Sequence, residues 1–255
     1  MTDFHSHILP GIDDGARDPA TSLAMLSLLR AQGIGTVYAT PHFYADTITP
    51  EDFLAGRERA FRELLAAAGD QPLPEIRLGA EILLAKGLSV LDLTGLTMGD
   101  LPYMLFEFGG ADFRPWFVTE IDKTASKHAA FPIIAHIDRF PWLGVRELAE
   151  LMRLDRVVFQ VNCEGLSDIH TQRKLAFLLD RGQKIILGSD CHNTTSRAPD
   201  FDLARAFFEG PAPVERKLFS HRVLFEPAAL KETVLFSSGH LTGAPGGGNE
   251  SGLLF

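Results

Sequence analysis

Short apolar runs alternate with longer helical patterns along most of this chain, and that alternation restricts its fold more than any other feature. Runs at 36–40 (TVYAT), 76–83, 104–108, 132–136, 157–162 and 184–190 read as strands. The segments between them carry helix-start signals. Asp18-Pro19 precedes Leu23, Leu26 and Leu29, and Thr49-Pro50-Glu51-Asp52 precedes Phe53, Phe61, Leu64 and Leu65. Each pairs an N-cap side chain with a proline at the first helical position. Strands separated by helices imply a parallel sheet. With 255 residues and about seven strands, a distorted TIM-like barrel accounts for the pattern better than an open doubly wound sheet. One domain over 1–236 is expected, followed by a flexible Gly/Ser-rich tail at 237–255 (SSGHLTGAPGGGNESGLLF).

Net charge is −9, which argues against nucleic acid or a membrane surface as partner, since both are polyanions. An anionic substrate must therefore meet a local positive site. Cys163 and Cys191 form no CxxC pair and fit a reducing cytoplasm. The N-terminus lacks a basic and apolar leader pattern, and no apolar run approaches the ~18 residues of a membrane span. A cytoplasmic protein without membrane insertion is expected.

The N-terminal segment reads Asp3-Phe4-His5-Ser6-His7-Ile8-Leu9-Pro10-Gly11-Ile12-Asp13-Asp14-Gly15. Residues i and i+2 of a strand share a face, so His5 and His7 can grip one ion. A His-x-His pair alone is weak, but the same residue types recur at successive strand ends. His42 follows 36–40, Glu81 closes IRLGAE, Glu107 lies in MLFEF, His136 closes PIIAH, and Asp190 and His192 end KIILGSDCH. In a β/α barrel that end is the catalytic face. Burying so many ionisable groups together is unfavourable unless cations compensate them. With Asp14 there are nine candidate ligands, enough for two or three ions, and imidazole plus carboxylate without thiolate favours Mn, Fe or Zn over Ca. Arg139 and Arg197, shortly after His136 and His192, can hold phosphate oxygens through their guanidinium forks.

Assembled, these segments closely resemble the PHP superfamily (polymerase and histidinol phosphatase). Within it they are similar to the bacterial manganese-dependent protein-tyrosine phosphatases of the CpsB/CapC type. The Ile-Asp-Asp-Gly of 12–15 is the distinguishing part, and TPH, GAE, EF, AHI-x-R and SD-x-HN follow in the family's order to about residue 235. The resemblance implies a distorted (β/α)7 barrel with three divalent ions, Mn²⁺ first and Fe, Zn or Mg as alternatives. His5, His7, Glu81 and Asp190 would hold one ion. Glu81, Glu107 and His136 would hold a second, and Asp14, His42 and His192 a third. Arg139 and Arg197 match the phosphate-contacting arginines, and His42 or His192 is the candidate general acid. The implied substrate is phosphotyrosine on the tail of a bacterial tyrosine kinase, in control of capsule and exopolysaccharide synthesis. The alternative is a small phosphomonoester such as histidinol phosphate. Asp138 and Phe140 stand where Glu and Tyr are common, and Phe43-Tyr44-Ala45-Asp46 gives the mouth an apolar and acidic character where other members are often basic or Asn-rich.

Two further readings compete. Cys191 to Arg197 fits the C-x5-R spacing of cysteine-dependent phosphatases, but no histidine precedes it and the loop has no glycine. A non-catalytic metal scaffold or phosphotyrosine-binding module would keep the same ligands. His128, His170, His221 and His240 read as surface or packing residues, and Trp116 and Trp142 as pocket lining or packing.

Overall fold

Both proline-marked helices form where their caps place them. Asp18 accepts from Thr21 N at the start of α1 (Pro19–Ala31), and Thr49 accepts from Asp52 N at the start of α2 (Pro50–Ala68). The computed structural model describes residues 1–110, 112–209 and 223–224. It adds α3 (Trp116–Lys127), α4 (Val145–Leu151), α5 (Ile169–Asp180) and α6 (Phe201–Glu209). The expected boundary at 236, the tail at 237–255, His221 and His240 lie outside the described residues.

The strands are β1 (Thr2–Ser6), β2 (Thr36–Ala39), β3 (His42–Phe43), β4 (Glu75–Leu78), β5 (Glu81–Leu83), β6 (Tyr103–Glu107), β7 (Phe131–Ile134), β8 (Val158–Asn162), β9 (Lys184–Gly188) and β10 (Val223–Leu224). All their pairings are parallel, in the orders β1-β2-β4 and β10-β9-β8-β7-β6-β5-β3. The two groups are one ladder. Ala39 pairs Leu78 and His42 pairs Glu81 with the same offset, so β2–β3 and β4–β5 are two broken strands. The break falls at Pro41, which has no N–H to give. Seven barrel positions result.

Closure between β9 and β1 occurs only at one end. Asp190 N donates to His5 O at 2.7 Å and His7 N to Cys191 O at 3.0 Å, whereas further down β9 pairs with β10 through Ile185 and Ile186. The barrel is therefore distorted, as expected, and sealed where the histidines sit. No helix among the described residues is long and apolar enough to cross a membrane.

The expected strand 76–83 differs. It divides at Gly79-Ala80, and Glu81 opens β5 instead of closing a strand. Likewise His42 opens β3. The cause is local: Arg57, buried on α2, donates to Gly79 O at 2.6 Å and to Gly95 O at 2.9 Å, holding the backbone out of the ladder.

Period-two alternation builds the interior. Tyr103, Leu105 and Glu107 share a face of β6; Val158, Gln160 and Asn162 share one of β8; Ile186 and Gly188 share one of β9, continued by Asp190. The lower members pack with Phe4, Tyr38 and Ile133 in an apolar plug. The upper members are polar. A bulge in β1 between Asp3 and Ser6 shifts parity, so that Phe4 joins the plug while His5 and His7 face the polar layer. A larger core, including Leu26, Leu29, Phe53, Leu64, Ile121, Leu148 and Leu178, lies between the barrel and its helices.

Candidate active site

Above the plug the structure brings together all nine candidate ligands. Subsets of them (His7, Asp14, His42 and His192; His5, His136 and Asp190; His5, His7 and Glu81; His42, Glu81 and Glu107) each present ligand atoms within 4.8 Å of one another. Glu81 is the hub. Its Oε2 lies 3.0 Å from His5 Nε2, 3.2 Å from His7 Nε2 and 3.1 Å from His42 Nδ1, and its Oε1 lies 2.7 Å from His136 Nε2. Glu107 stands 3.6 Å from His42 and 3.5 Å from His136. Asp14 stands 3.4 Å from His42 and 3.3 Å from His192.

The donor set fits a cation, and the proton inventory shows why. His5 Nδ1 lies 3.1 Å from Gln160 Oε1, and His7 Nδ1 lies 2.7 Å from Asp13 Oδ2. Both partners only accept, so each Nδ1 donates outward and each Nε2 is turned inward, where it can offer a lone pair to an ion once deprotonated. Those two nitrogens lie 3.2 Å apart, facing Glu81 Oε2 and Asp190 Oδ1 as well. His192 Nδ1 is likewise committed to Asp190 O at 2.9 Å, leaving Nε2 inward. Among the described residues, His192 Nε2, His42 Nδ1 and Glu81 Oε2 are buried without a hydrogen-bond partner. Electron-rich atoms converging on one point call for positive charge, supplied by protons or by a metal ion.

Charge states agree. Burial opposes charge on Glu81, yet His5, His136 and His7 hold its carboxyl well below the usual carboxylate range. Burial also opposes charge on Asp190, which His5 and His7 hold well down. Burial disfavours the imidazolium forms, but Asp13, Asp190 and Glu81 raise His7 well up, and Glu107 and Glu81 raise His136 to about 10. Burial and the neighbouring His7 instead push His192 down to about 4. The cluster as a whole attracts cations, and protons alone cannot serve every nitrogen.

Backbone strain re-aims two of these groups. His136 has φ 27° and Asp190 φ 49°, left-handed values uncommon for side-chain-bearing residues. Both lie just past their strands, where an extended backbone would turn them elsewhere.

The arginines meet at Asp190. Arg139 Nη1 is 2.6 Å from Oδ2, and Arg197 Nη2 is 3.0 Å from Oδ1, with Arg197 Nη1 3.8 Å from Asp14. Each is about one-third exposed, so part of each guanidinium reaches solvent at the mouth, although Arg197 Nε is buried without a partner among the described residues.

Several functional partners had no place in the sequence reading. Asp13 orients His7 and accepts from His42 N at 3.1 Å. Despite burial, its bond to His7 lowers it to about 2. Gln160 Oε1 accepts from both His5 Nδ1 and His136 N, while its Nε2 donates to Asn162, whose Nδ2 donates to Asp190. Asp3 accepts from Ser189 N and Oγ and from His5 N. Strand periodicity was the available signal: Gln160 and Asn162 alternate with apolar residues in VFQVN, and Asp3 stands two residues from His5.

A match to a family model, capsular polysaccharide synthesis CpsB/CapC, covers residues 1–217. The chain belongs to the CpsB/CapC family. Its relatives include a tyrosine-protein phosphatase YwqE of Bacillus subtilis (strain 168), 30% identical over 212 residues, covering 77% of this chain and 79% of that protein. Another is the tyrosine-protein phosphatase CpsB of Streptococcus pneumoniae, 28% identical over 211 residues, covering 78% and 86%. In fold the chain is similar to a chain from the crystal structures of YwqE and CpsB, metal-dependent tyrosine phosphatases, with TM-score 0.65 and 23% identity over 89% of this chain and 96% of that one.

Within this CpsB/CapC chain the remaining sequence readings fall out plainly. Cys191 is fully buried, and burial with Asp3 nearby pushes its thiol well up, so it is no thiolate nucleophile. His128 accepts from Leu93 N and packs. His170 lies on α5, away from the cluster. Trp116 and Trp142 belong to an aromatic group with Phe108, Phe117 and Phe140 that packs on the core. Phe43 is buried in the core, and of residues 43–46 Tyr44 lines the cleft beside His42, followed by Thr47 and Ile48.

Proposed function

We propose that this protein is a metal-dependent protein-tyrosine phosphatase acting in the cytoplasm on phosphotyrosine of a bacterial tyrosine kinase, in control of capsule and exopolysaccharide synthesis. The convergence of His5, His7 and Glu81 on one point carries the reading, with the outward Nδ1 protons of His5 and His7 already committed. His5, His7, Glu81 and Asp190 would hold one divalent ion; Glu81, Glu107 and His136 a second; Asp14, His42 and His192 a third. Mn²⁺ suits this mixture of imidazole and carboxylate, and Fe, Zn or Mg are the alternatives. Bound ions supply Lewis-acid charge neutralisation at phosphorus and a water of near-neutral pKa.

The chain's own groups do the rest. Gln160, Asp13 and Asp190 O fix the tautomers of His5, His7 and His192. Arg139 and Arg197, anchored on Asp190, aim their free donors at the non-bridging oxygens and the charge that develops there. Both His42 nitrogens face carboxylates, so its part lies in the ion site. A tyrosine leaving group, with a pKa near 10, needs little acid help.

The test is turnover of a phosphotyrosine peptide by metal-stripped protein before and after adding Mn²⁺, Fe²⁺ or Zn²⁺. Turnover is expected only with metal, at a kcat/KM above that for histidinol phosphate. No turnover with any metal, or a preference for histidinol phosphate, would overturn the reading.

A further inference from the structure

A cleft of about 690 Å³ opens from the ligand cluster at Asp14 and His42 and runs along α2. One wall is the 10–14 loop, with Ile12; the other is the loop after His42, with Tyr44 and Ile48. Tyr44 stacks on His42, ring centroids 5.1 Å apart and planes 19° apart, which places an aromatic face at the junction. Ile48 is an exposed aliphatic side chain that borders this cleft.

Beyond the junction the floor is α2 itself. Asp52, Gly56, Arg59 and Glu63 follow at helical spacing on one stripe. Eleven residues at ~1.5 Å each give roughly 16 Å, the length of about five residues of extended chain at ~3.3 Å each. A phosphate group and one phenyl ring do not need that length. Gly56 leaves the floor open, since a Cβ there would meet only the flexible end of Arg59, at 3.7 Å. Among the described residues Arg59 makes no ion pair within 4 Å, so its donors are available to main-chain carbonyls. Asp52 and Glu63 flank it and disfavour an acidic occupant.

We infer that this α2 groove is a polypeptide subsite: it holds about five extended residues on one side of the phosphotyrosine, apolar or basic but not acidic, and so separates protein substrates from small phosphomonoesters. The inference rests on the proposed phosphatase activity and deepens it. Continuity with the ligand cluster, the stripe's length and the open floor at Gly56 are its grounds.

Gly56→Leu tests it, because leucine favours the helix and fills the floor. Turnover is measured with Mn²⁺ on p-nitrophenyl phosphate and on phosphotyrosine peptides carrying no flank, five alanines on either side, or five glutamates on either side. In the unmodified protein one alanine flank is expected to raise kcat/KM by about tenfold, the scale of one well-made contact, and glutamates to cancel the gain. Gly56→Leu should abolish that gain and leave p-nitrophenyl phosphate unchanged. Equal turnover of flanked and unflanked peptides, or the same gain in Gly56→Leu, overturns the subsite while leaving the phosphatase reading intact. Absence of turnover on every phosphotyrosine substrate overturns the phosphatase reading itself.

Discussion

Gln160 carries no charge and offers no ligand to an ion, yet three elements meet on it. Its carbonyl oxygen accepts from His5 Nδ1 at 3.1 Å and from His136 N at 2.6 Å, and its amide reaches Asp190 through Asn162. One side chain therefore sets the tautomer of His5, the backbone of the strained His136 and the orientation of Asp190. Leucine has a similar volume and can do none of these. Gln160→Leu is expected to keep the fold by circular dichroism and to weaken Mn²⁺ binding by about 10- to 100-fold in calorimetric titration, the range for lost outer partners of metal ligands. Unchanged affinity would place Gln160 among ordinary packing residues. Arg197 acts on the opposite side of Asp190. Arg197→Ala leaves the nine candidate ligands in place, so Mn²⁺ affinity should hold while kcat/KM on a phosphotyrosine peptide falls by about 10²- to 10³-fold, as for removal of one transition-state donor. The orienting roles of Asp13 and Gln160 are not legible in the sequence, because the groups that orient ion ligands are acceptors of ordinary kind.

At the level of strands and helices, what was legible depended on whether local sequence decided it. The caps at Asp18 and Thr49 are local, and α1 and α2 begin there. The break in 76–83 was hidden because its cause is remote: Arg57 on α2 draws Gly79 O away, and only the assembled molecule brings them together. The same break delivers Glu81 to the hub, so misreading the strand end did not displace the ligand. The β1 bulge was hidden likewise, since DFHSH has no glycine or proline to announce it. The seal between β9 and β1 has a clear steric condition at Gly188. A Cβ there would lie 2.5 Å from His5 Cβ and 2.8 Å from Gln160 Nε2, with β1 backbone at 3.1 Å. None of these is the free end of an exposed chain. Gly188→Ala is expected to destabilise the protein by about 1–3 kcal/mol in urea unfolding, the scale of overpacking. It should also weaken Mn²⁺ binding, because His5 is what must move. Full stability would mean that the seal has more room than its closest atoms indicate.

For the molecule as a whole, buried carboxyls make stability a function of pH and of metal together. Burial, then Glu164 and Asp3, raise Asp200 to about 7, and burial raises Asp3 to about 6 against the hydrogen bonds of Ser189. Each keeps its proton in the fold over a range where the unfolded chain, near 3.8, has released it. Folding then takes up protons, and stability falls as pH rises from about 4 to about 7. His136 works in the same direction: with a folded value of about 10, its contribution is whole below about 6.5 and is lost as pH rises through 10. Asp13, held near 2, contributes above about 4 and loses that contribution only as pH falls through 2. His192, pushed down to about 4, works the other way below about 6.5, so the metal-free protein should show a melting temperature that declines most clearly between pH 6.5 and pH 9. Asn cannot ionise, so Asp200→Asn should match the parent at pH 4 and exceed it at pH 8 by on the order of 1 kcal/mol, the modest value reflecting its partial exposure. A divalent ion displaces the very protons that His7 and His136 hold, so its binding strengthens with pH. The melting-temperature gap between Mn²⁺-loaded and metal-free protein should accordingly widen from pH 5 to pH 9. A gap that stays constant or narrows would show that the imidazoles at the hub give up no protons to an ion, and the lack of any gap at every pH would show a hydrogen-bonded core and not a metal centre.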